Sequence, residues 1–218
     1  DHGNREDRKL ARLKYLVDRV GLDEFRSMVE AHYGRGLSAA RPVEVTEMGD
    51  HMGWEEQGDG RWYYGLNVEN GRIADTSRMR LKSALRQICS ELSPGVRLTA
   101  HQSILLTDLP AESRPRLEAI LRAHQVPLTE EITTVRRWSM ACVAWPTCGL
   151  AITESERALP GLLDALEVEL QRLGLEREAF TVRMTGCPNG CARPYNADVG
   201  LVGKARGRYT VYLGGCRR

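Results

Sequence analysis

The run Thr185-Gly-Cys-Pro-Asn-Gly-Cys-Ala-Arg-Pro194 decides how this chain is interpreted, because it places two cysteines in a segment rich in Gly and Pro. A second pair of cysteines precedes it, in the run Cys142-Val-Ala-Trp-Pro-Thr-Cys148. Four thiolates from two separated loops are a usual ligand set for a [4Fe-4S] cluster, and such loops turn backbone amides toward the cluster sulfurs. The two pairs therefore predict an electron-transfer site.

Two other interpretations of these cysteines stay open on the residues alone. Structural zinc also binds four thiolates, although its usual C-x2-C or C-x4-C pairs fit spacings of five and three intervening residues poorly. Disulfides are typical of small secreted domains, whereas six cysteines in 218 residues describe an ordinary intracellular composition. Cys89 lies in a helical pattern and is expected to be a buried small apolar residue, while Cys216 is assigned no role.

Composition and charge exclude several classes of protein. The chain is 42% hydrophobic, enough for one large or two small folded domains, and it has no apolar run near the roughly 20 residues that cross a bilayer. Its 31 basic and 29 acidic residues give a net charge of +2, too balanced for a protein that binds nucleic acid by neutralising phosphates. The polar start without a methionine and the end at Arg218 lead us to expect a piece of a longer protein.

Hydrophobic periodicity predicts helices and strands in a mixed order. Two amphipathic helices separated by Gly21 are expected between residues 7 and 33, and a Gly-rich linker and turn region is expected to follow up to residue 60. The next part reads, in order, as a strand at 61–68, a helix at 77–92, extended segments at 96–99 and 103–107, a helix at 110–123 and an extended piece at 132–135. This order predicts a small α+β sandwich.

The cysteine pairs are expected on loops between regular elements. Thr153 and Glu156 form a sequence pattern that predicts a capping box opening a helix at 154–173, which Gly174 would close. A strand at 180–184 would lead into the second cysteine loop, and a strand pair at 197–202 and 209–213 would follow.

Three runs carry a resemblance to a known family: Ser139-Met-Ala-Cys-Val-Ala-Trp-Pro-Thr-Cys-Gly-Leu-Ala-Ile-Thr-Glu-Ser-Glu-Arg157, Thr185-Gly-Cys-Pro-Asn-Gly-Cys-Ala-Arg-Pro-Tyr195 and Val199-Gly-Leu-Val-Gly-Lys204. They resemble the sulfite reductase hemoprotein family, the sirohaem and [4Fe-4S] enzymes that also include assimilatory nitrite reductases. The resemblance extends over essentially the whole chain. The runs Asp1-His-Gly-Asn-Arg5, Glu56-Gln-Gly-Asp-Gly60 and Cys191-Ala-Arg-Pro-Tyr195 are more similar to the ferredoxin-dependent branch than to the flavoprotein-coupled one. The runs Val202-Gly-Lys204 and Gly207-Arg-Tyr209 instead resemble the flavoprotein-coupled branch.

The resemblance implies an α+β fold: a small mixed sandwich domain, which is a ferredoxin-like half-repeat, followed by a mixed α/β cluster-binding domain. It divides the chain into a helical linker at 1–42, a ferredoxin-like half-domain at 43–135 and a [4Fe-4S]/sirohaem-binding domain at 136–218, incomplete at its C-terminus. Complete chains of the family have two related halves. The N-terminal half, which supplies the Arg and Lys residues that bind sulfite, is expected as a missing partner of this chain.

The activity implied is the six-electron reduction of sulfite to sulfide at a sirohaem coupled to a [4Fe-4S] cluster, with ferredoxin or a flavoprotein as electron donor, in the cytoplasm. A ferredoxin-dependent nitrite reductase that forms ammonia is the nearest alternative, and a non-catalytic iron–sulfur electron-transfer fragment is another. No nucleic-acid or membrane partner is expected.

The resemblance also implies roles for particular residues. The cluster ligands are Cys142, Cys148, Cys187 and Cys191, and Cys191 is also the catalytic thiolate that bridges to the sirohaem iron. The residues expected to contact sirohaem are Gln102, Ala141, Asn189, Gly190 and Arg193. Sirohaem carries eight carboxylates, so Arg136, Arg137, Arg183 and Lys204 are further candidates to pair with them.

Overall fold

A computed structural model describes residues 3, 4, 6, 7, 10–42 and 49–215, which form two compact units, Asp1–Met48 and Gly49–Arg218. Part of the Asp1–Arg5 run and Cys216 lie outside the described residues. No helix in the described ranges is long and apolar enough to cross a membrane. The predicted division of the chain into three domains stays a prediction.

The first unit is a pair of helices, as the sequence predicts. Helix α1 spans Leu13–Val20 and helix α2 spans Leu22–Tyr33. Gly21 separates them with φ of 82°, a left-handed angle that glycine adopts without steric cost. Gly34 ends α2 in the left-handed conformation, and its N–H donates to the Glu30 carbonyl at 2.9 Å.

The first half of the second unit is an antiparallel sheet covered by two helices. Its elements are β1 Gly53–Glu56, β2 Trp62–Leu66, α3 Leu81–Leu92, β3 Gly95–Leu98, β4 Ile104–Leu109 and α4 Arg114–Ala123. The strands lie in the order β1-β2-β4-β3. Apolar residues of β2 and β4 pack against one face of α3 and α4 and form a closed core. This arrangement confirms the predicted α+β sandwich.

The second half of the unit is a mixed sheet with a helix on one face. Its elements are α5 Thr134–Arg137, β5 Ser139–Ala141, α6 Leu159–Leu173, β6 Val182–Thr185, β7 Val199–Ala205 and β8 Arg208–Leu213. Strands β5, β6 and β7 are parallel neighbours and β8 is antiparallel to β7. Helix α6 provides the crossover from β5 to β6 and buries Leu159, Leu163 and Leu170. The parallel pairing of β5 and β6 brings the two cysteine-containing segments that follow them to the same end of the sheet.

The predicted capping box at the start of α6 is wrong, because the helix begins at Leu159 rather than at residue 154. Both side chains of the pattern have other partners. The Thr153 hydroxyl accepts the Gly207 N–H at 2.9 Å, and the Glu156 carboxylate pairs with Arg72 at 2.6 Å. Pro160 lies in the first turn of the helix, where its missing N–H costs nothing.

Four smaller expectations also fail. The Gly-rich segment predicted as linker contains strand β1, and the segment near Val135 predicted as extended is helix α5. Cys89 is exposed rather than buried, because the buried stripe of α3 runs through Leu81, Ala84 and Ile88 and residue 89 points away from it. Helix α3 itself begins at Leu81, four residues later than predicted.

Candidate metal centre

Both cysteine loops leave the same edge of the mixed sheet. Strand β5 ends one residue before Cys142, and β6 ends two residues before Cys187. The two strands are parallel, with Ala141 opposite Met184. Because neighbouring strands lie about 4.8 Å apart, Cys142 and Cys187, the first cysteine of each loop, follow strand ends that lie side by side. The carboxyl ends of parallel strands are a usual location for ligand sites.

Backbone hydrogen bonds join the two loops directly. The N–H groups of Ile152 and Thr153, at the end of the first loop, donate to the Gly186 carbonyl at 2.9 and 3.1 Å. The N–H of Cys142 donates to the Met184 carbonyl at 3.1 Å. A Cβ added to Gly186 would lie 2.5 Å from the Thr153 carbonyl oxygen, so only glycine permits this approach.

Cys142 lies among hydrogen-bond donors. The N–H of Gly186 donates to its Sγ at 3.3 Å, and the hydroxyl of Thr185 donates at 3.5 Å. The Ser155 hydroxyl also lies 3.5 Å from this sulfur. Burial raises the pKa of the Cys142 thiol, but these hydrogen bonds outweigh burial and leave its pKa below the ordinary value. The surroundings therefore favour the thiolate, which is the form that binds metal.

The second loop is a tight turn that leaves Cys191 at the surface. Gly190 has φ of 68°, and a Cβ there would lie 2.9 Å from the Tyr195 ring. The Tyr195 hydroxyl donates to the Pro188 carbonyl at 3.0 Å, and the Arg193 N–H donates to the Gly190 carbonyl at 2.8 Å. These contacts fix the turn. Cys187 is buried in it, whereas Cys191 is exposed.

The donor set fits an iron–sulfur cluster. Cys142, Cys148, Cys187 and Cys191 are all thiols on loops of one sheet edge. Thiolate sulfur is the ligand type that such clusters use, and here backbone and hydroxyl donors are aimed at one of the sulfurs. In the described ranges no three His, Cys, Asp or Glu side chains are placed to hold a single metal ion.

Gln102 and Arg193 hold one loop of the first sheet against the cysteine loops. The Gln102 Nε2 donates to the Ala141 carbonyl at 2.8 Å, and the Arg193 Nη2 donates to the Ala100 carbonyl at 2.7 Å. Both residues have left-handed backbone angles, with φ of 61° and 56°. Gln102 Oε1 is buried and has no hydrogen-bond partner among the described residues. An orphaned acceptor at this position fits a neighbouring group that supplies a donor.

The other residues expected around sirohaem differ in exposure. Ala141 is fully buried in the core beside α6, so its carbonyl is the part turned toward Gln102. Asn189 is exposed, and Gly190 is half-buried. The structure brings all three to the edge that carries the cysteines, and their contact with a macrocycle stays a prediction.

Two of the candidate arginines are paired within the chain. Arg136 binds Glu69, Asp164 and Glu167, with the Glu69 distance at 3.1 Å and the Glu167 distance at 2.8 Å. Arg137 pairs with Asp50 at 2.8 Å. Their charge is therefore already compensated by carboxylates of the chain. Arg183 is buried, and Lys204 is exposed.

Sequence reasoning missed the polar residues that support the first loop. Ser155 is fully buried, and its hydroxyl lies 2.8 Å from the Cys142 carbonyl and 3.1 Å from the Met184 carbonyl. Thr185, directly before the second motif, is equally buried. The position of Thr185 at the end of a strand beside the motif was a usable signal. Ser155 carries no local signal, because its partners come from other segments.

Comparison with known proteins gives two family matches. Residues 55–124 match the model described as the nitrite/sulfite reductase ferredoxin-like half domain. Residues 1–37 match the nitrite and sulphite reductase 4Fe-4S domain, a stretch that precedes the cysteine motifs. The cluster site at the motifs therefore rests on the cysteines and their geometry rather than on that second match.

Curated relatives align along nearly the whole chain. A sulfite reductase [NADPH] hemoprotein beta-component of Chromohalobacter salexigens is 49% identical over 99% of the chain, and a sulfite reductase [ferredoxin] of Synechococcus elongatus is 46% identical over 99%. The solved structure of the Mycobacterium tuberculosis NirA protein matches with a TM-score of 0.78 and 29% identity over 99% of the chain. The chain spans 37%, 34% and 41% of these three proteins, respectively.

The fold thus contains the ferredoxin-like half domain found in nitrite and sulfite reductases. More particularly, the chain belongs to the nitrite and sulfite reductase family, as its resemblance predicts.

Proposed function

We propose that this chain is the part of a sulfite reductase that binds a [4Fe-4S] cluster and one side of a sirohaem, and that the complete enzyme reduces sulfite to sulfide with six electrons. The observation that carries the proposal is the junction of two cysteine loops at one sheet edge, where Gly186 permits contact between them. Relatives named sulfite reductase, up to 49% identical, support the choice of substrate.

The four thiolates would hold the cluster, and the two loops would contribute differently. The Gly186 N–H and the Thr185 hydroxyl donate to the Cys142 sulfur and would stabilise negative charge on it. Cys191 is exposed at a fixed turn, which suits a thiolate shared with a second metal. When bound, the cluster supplies single electrons to the sirohaem iron, where sulfite is reduced.

The Gln102 loop would form part of the wall of the sirohaem pocket. Its backbone is fixed by Arg193, and its side chain is oriented by the Ala141 carbonyl at 2.8 Å. Gln102 Oε1 remains available to accept a hydrogen bond from bound water or substrate at the pocket. Arg193, exposed beside Cys191, would offer its remaining donors to a sirohaem carboxylate.

Activity of the complete enzyme requires more than this chain contributes. The chain spans 37% of a sulfite reductase relative, and the family resemblance implies that the cations that bind sulfite come from the N-terminal half. That half is therefore the proposed partner of this chain. The donor, ferredoxin or a flavoprotein, stays a prediction, since a relative named for ferredoxin and one named for NADPH match at 46% and 49% identity, respectively. The cytoplasmic location also stays a prediction.

Visible absorption and turnover of the complete enzyme test the proposal. We expect Soret and α bands of sirohaem above a broad cluster absorption, and faster turnover of sulfite than of nitrite. Faster turnover of nitrite would select nitrite reductase, which the family description includes. A broad cluster absorption without sirohaem bands would instead indicate an iron–sulfur electron carrier and refute the reductase.

A further inference from the structure

The hydroxyl of Thr185 lies between the two cysteine loops. Its Oγ1 is 3.5 Å from the Cys142 sulfur in the first loop and 3.3 Å from the Cys187 carbonyl in the second. A threonine hydroxyl has a single proton, so it donates to one of these acceptors at a time. Because the two distances are similar, we expect the hydroxyl to donate its proton to whichever acceptor carries more negative charge.

The other two groups near the Cys142 sulfur are less able to change their hydrogen-bond partner. The Gly186 N–H is a fixed backbone donor to the sulfur at 3.3 Å. The Ser155 hydroxyl lies closer to the carbonyls of Cys142 and Met184, at 2.8 and 3.1 Å, than to the sulfur at 3.5 Å. Its proton is therefore committed mainly to a carbonyl. Thr185 is the neighbouring hydroxyl whose proton can follow a change of charge on the sulfur at the smallest cost.

We propose that Thr185 is a positioning residue that raises the reduction potential of the cluster by donating its hydroxyl proton to the Cys142 sulfur in the reduced state. The inference rests on the proposed function, since it needs a cluster at these thiolates. One electron from an external one-electron donor adds one negative charge, which the cluster and its thiolates share. The hydroxyl then rotates from the Cys187 carbonyl to the sulfur, and no proton is transferred or bond broken.

Burial makes this contribution difficult to replace. Thr185 and Ser155 are both fully buried, so bulk water does not reach the positions of their hydroxyls. A hydrogen bond to a charged sulfur is stronger in such surroundings than in water, and its loss leaves the charge uncompensated. Hydrogen bonds to cluster sulfurs are among the factors that set the potential of iron–sulfur proteins. Removing the Thr185 hydroxyl should therefore destabilise the reduced state more than the oxidised state.

The experiment is a mediated redox titration of the holoenzyme, followed by the electron paramagnetic resonance signal of the reduced cluster. Thr185→Val removes the hydroxyl and nearly preserves the shape, while Thr185→Ser retains the hydroxyl. Thr181→Val is the matched control, because Thr181 is a fully buried threonine at the opposite end of β6 whose hydroxyl bonds Asp198 at 2.7 Å. Iron and acid-labile sulfide are measured in each sample before titration.

We expect Thr185→Val to shift the midpoint potential to a more negative value, and Thr185→Ser and Thr181→Val to retain the wild-type potential. A wild-type potential in cluster-loaded Thr185→Val would overturn the inference and leave the proposed function intact. A wild-type protein without labile sulfide would refute the proposed function itself.

A second variant covers the case in which Thr185→Val does not retain its cluster. Thr185→Ala is then titrated in its place, and we expect the same negative shift, because this variant also removes the hydroxyl. An unchanged potential in cluster-loaded Thr185→Ala would overturn the inference.

Discussion

The two cysteine loops differ in the burial of their cysteine sulfurs and in the hydrogen-bond donors around them. In the first loop Cys142 is half-buried and has a backbone N–H and two hydroxyls within 3.5 Å of its Sγ. In the second loop Cys191 is exposed at the end of a turn held by Gly190 and Tyr195. The same residue type thus lies among hydrogen-bond donors in one loop and in an exposed turn in the other.

Under the proposed function, this difference gives the two loops different roles in holding one cluster. Donors around a sulfur change the energy of its charge, whereas exposure changes what the sulfur can contact. Under the proposed function, we expect the first loop to set the potential of the cluster and the second to pass electrons to the sirohaem. Variants in and around each loop test this comparison.

Replacement of Cys191 by Ser should have the largest effect. A shared thiolate would hold both cofactors, so we expect Cys191→Ser to lose the coupled cluster and the normal sirohaem spectrum together. Visible absorption with iron and labile-sulfide assays measures both. Cys89→Ser is the matched control, because Cys89 is exposed on α3 and lies outside both loops. A normal spectrum of both cofactors in Cys191→Ser would contradict the bridge.

Replacement of Gly186 by Ala should separate the loops. The new Cβ would lie 2.5 Å from the Thr153 oxygen and 2.7 Å from the Ala144 Cβ, and overpacking of this kind costs about 1–3 kcal/mol. We expect a lower free energy of unfolding and reduced cluster content. Gly149→Ala, in the first loop, is the control, since a Cβ there has no neighbour within 4 Å. Equal stability and cluster content of the two variants would show that close contact of the loops is not required.

The Arg72–Glu156 pair should have a smaller effect that depends on pH. The hydrogen bonds and charge of Arg72 hold the pKa of Glu156 below its ordinary value of 4.5. A carboxylate with a lowered pKa in the folded state adds stability above its unfolded pKa and loses it as pH falls through the folded pKa. We therefore expect the stabilisation from this pair to be present near neutral pH and to disappear at pH values below 4.5.

Urea unfolding of wild type and Arg72→Ala across this pH range measures the effect. The difference between the two midpoints should narrow as the solution becomes acidic. Arg172→Ala, which breaks an exposed pair on α6, is the control and should show no comparable change. A difference that is independent of pH would show that Arg72 acts through packing rather than through the charge of Glu156.

Local patterns in the sequence predicted the parts of the fold that depend on neighbours in the chain. The break at Gly21 and the strand that ends before the second motif are of this kind. Strand β1 was missed because glycines at 49, 53, 58 and 60 obscure a short strand whose pairing with β2 is decided by tertiary contact. The start of α6 was missed because Glu156 is engaged by Arg72, from a distant segment.

The same distinction applies to the site. The four cysteines could be named from their motifs, because ligand type and spacing are local properties. The donors from Ser155 and the contact between Gln102 and Ala141 join segments that are far apart in the chain, so no pattern reveals them. The orphaned oxygen of Gln102 likewise becomes visible only once the fold is formed.

Metal and sulfide analysis of the purified protein, compared with Cys142→Ser, Cys148→Ser, Cys187→Ser and Cys191→Ser, tests the central claim most directly. We predict that the wild type contains acid-labile sulfide and an equal amount of cluster iron, in addition to the sirohaem iron, and that each variant loses the labile sulfide and the cluster iron. Bound zinc without labile sulfide, or full retention of iron and sulfide in any of the four variants, would contradict a cluster held by these four sulfurs.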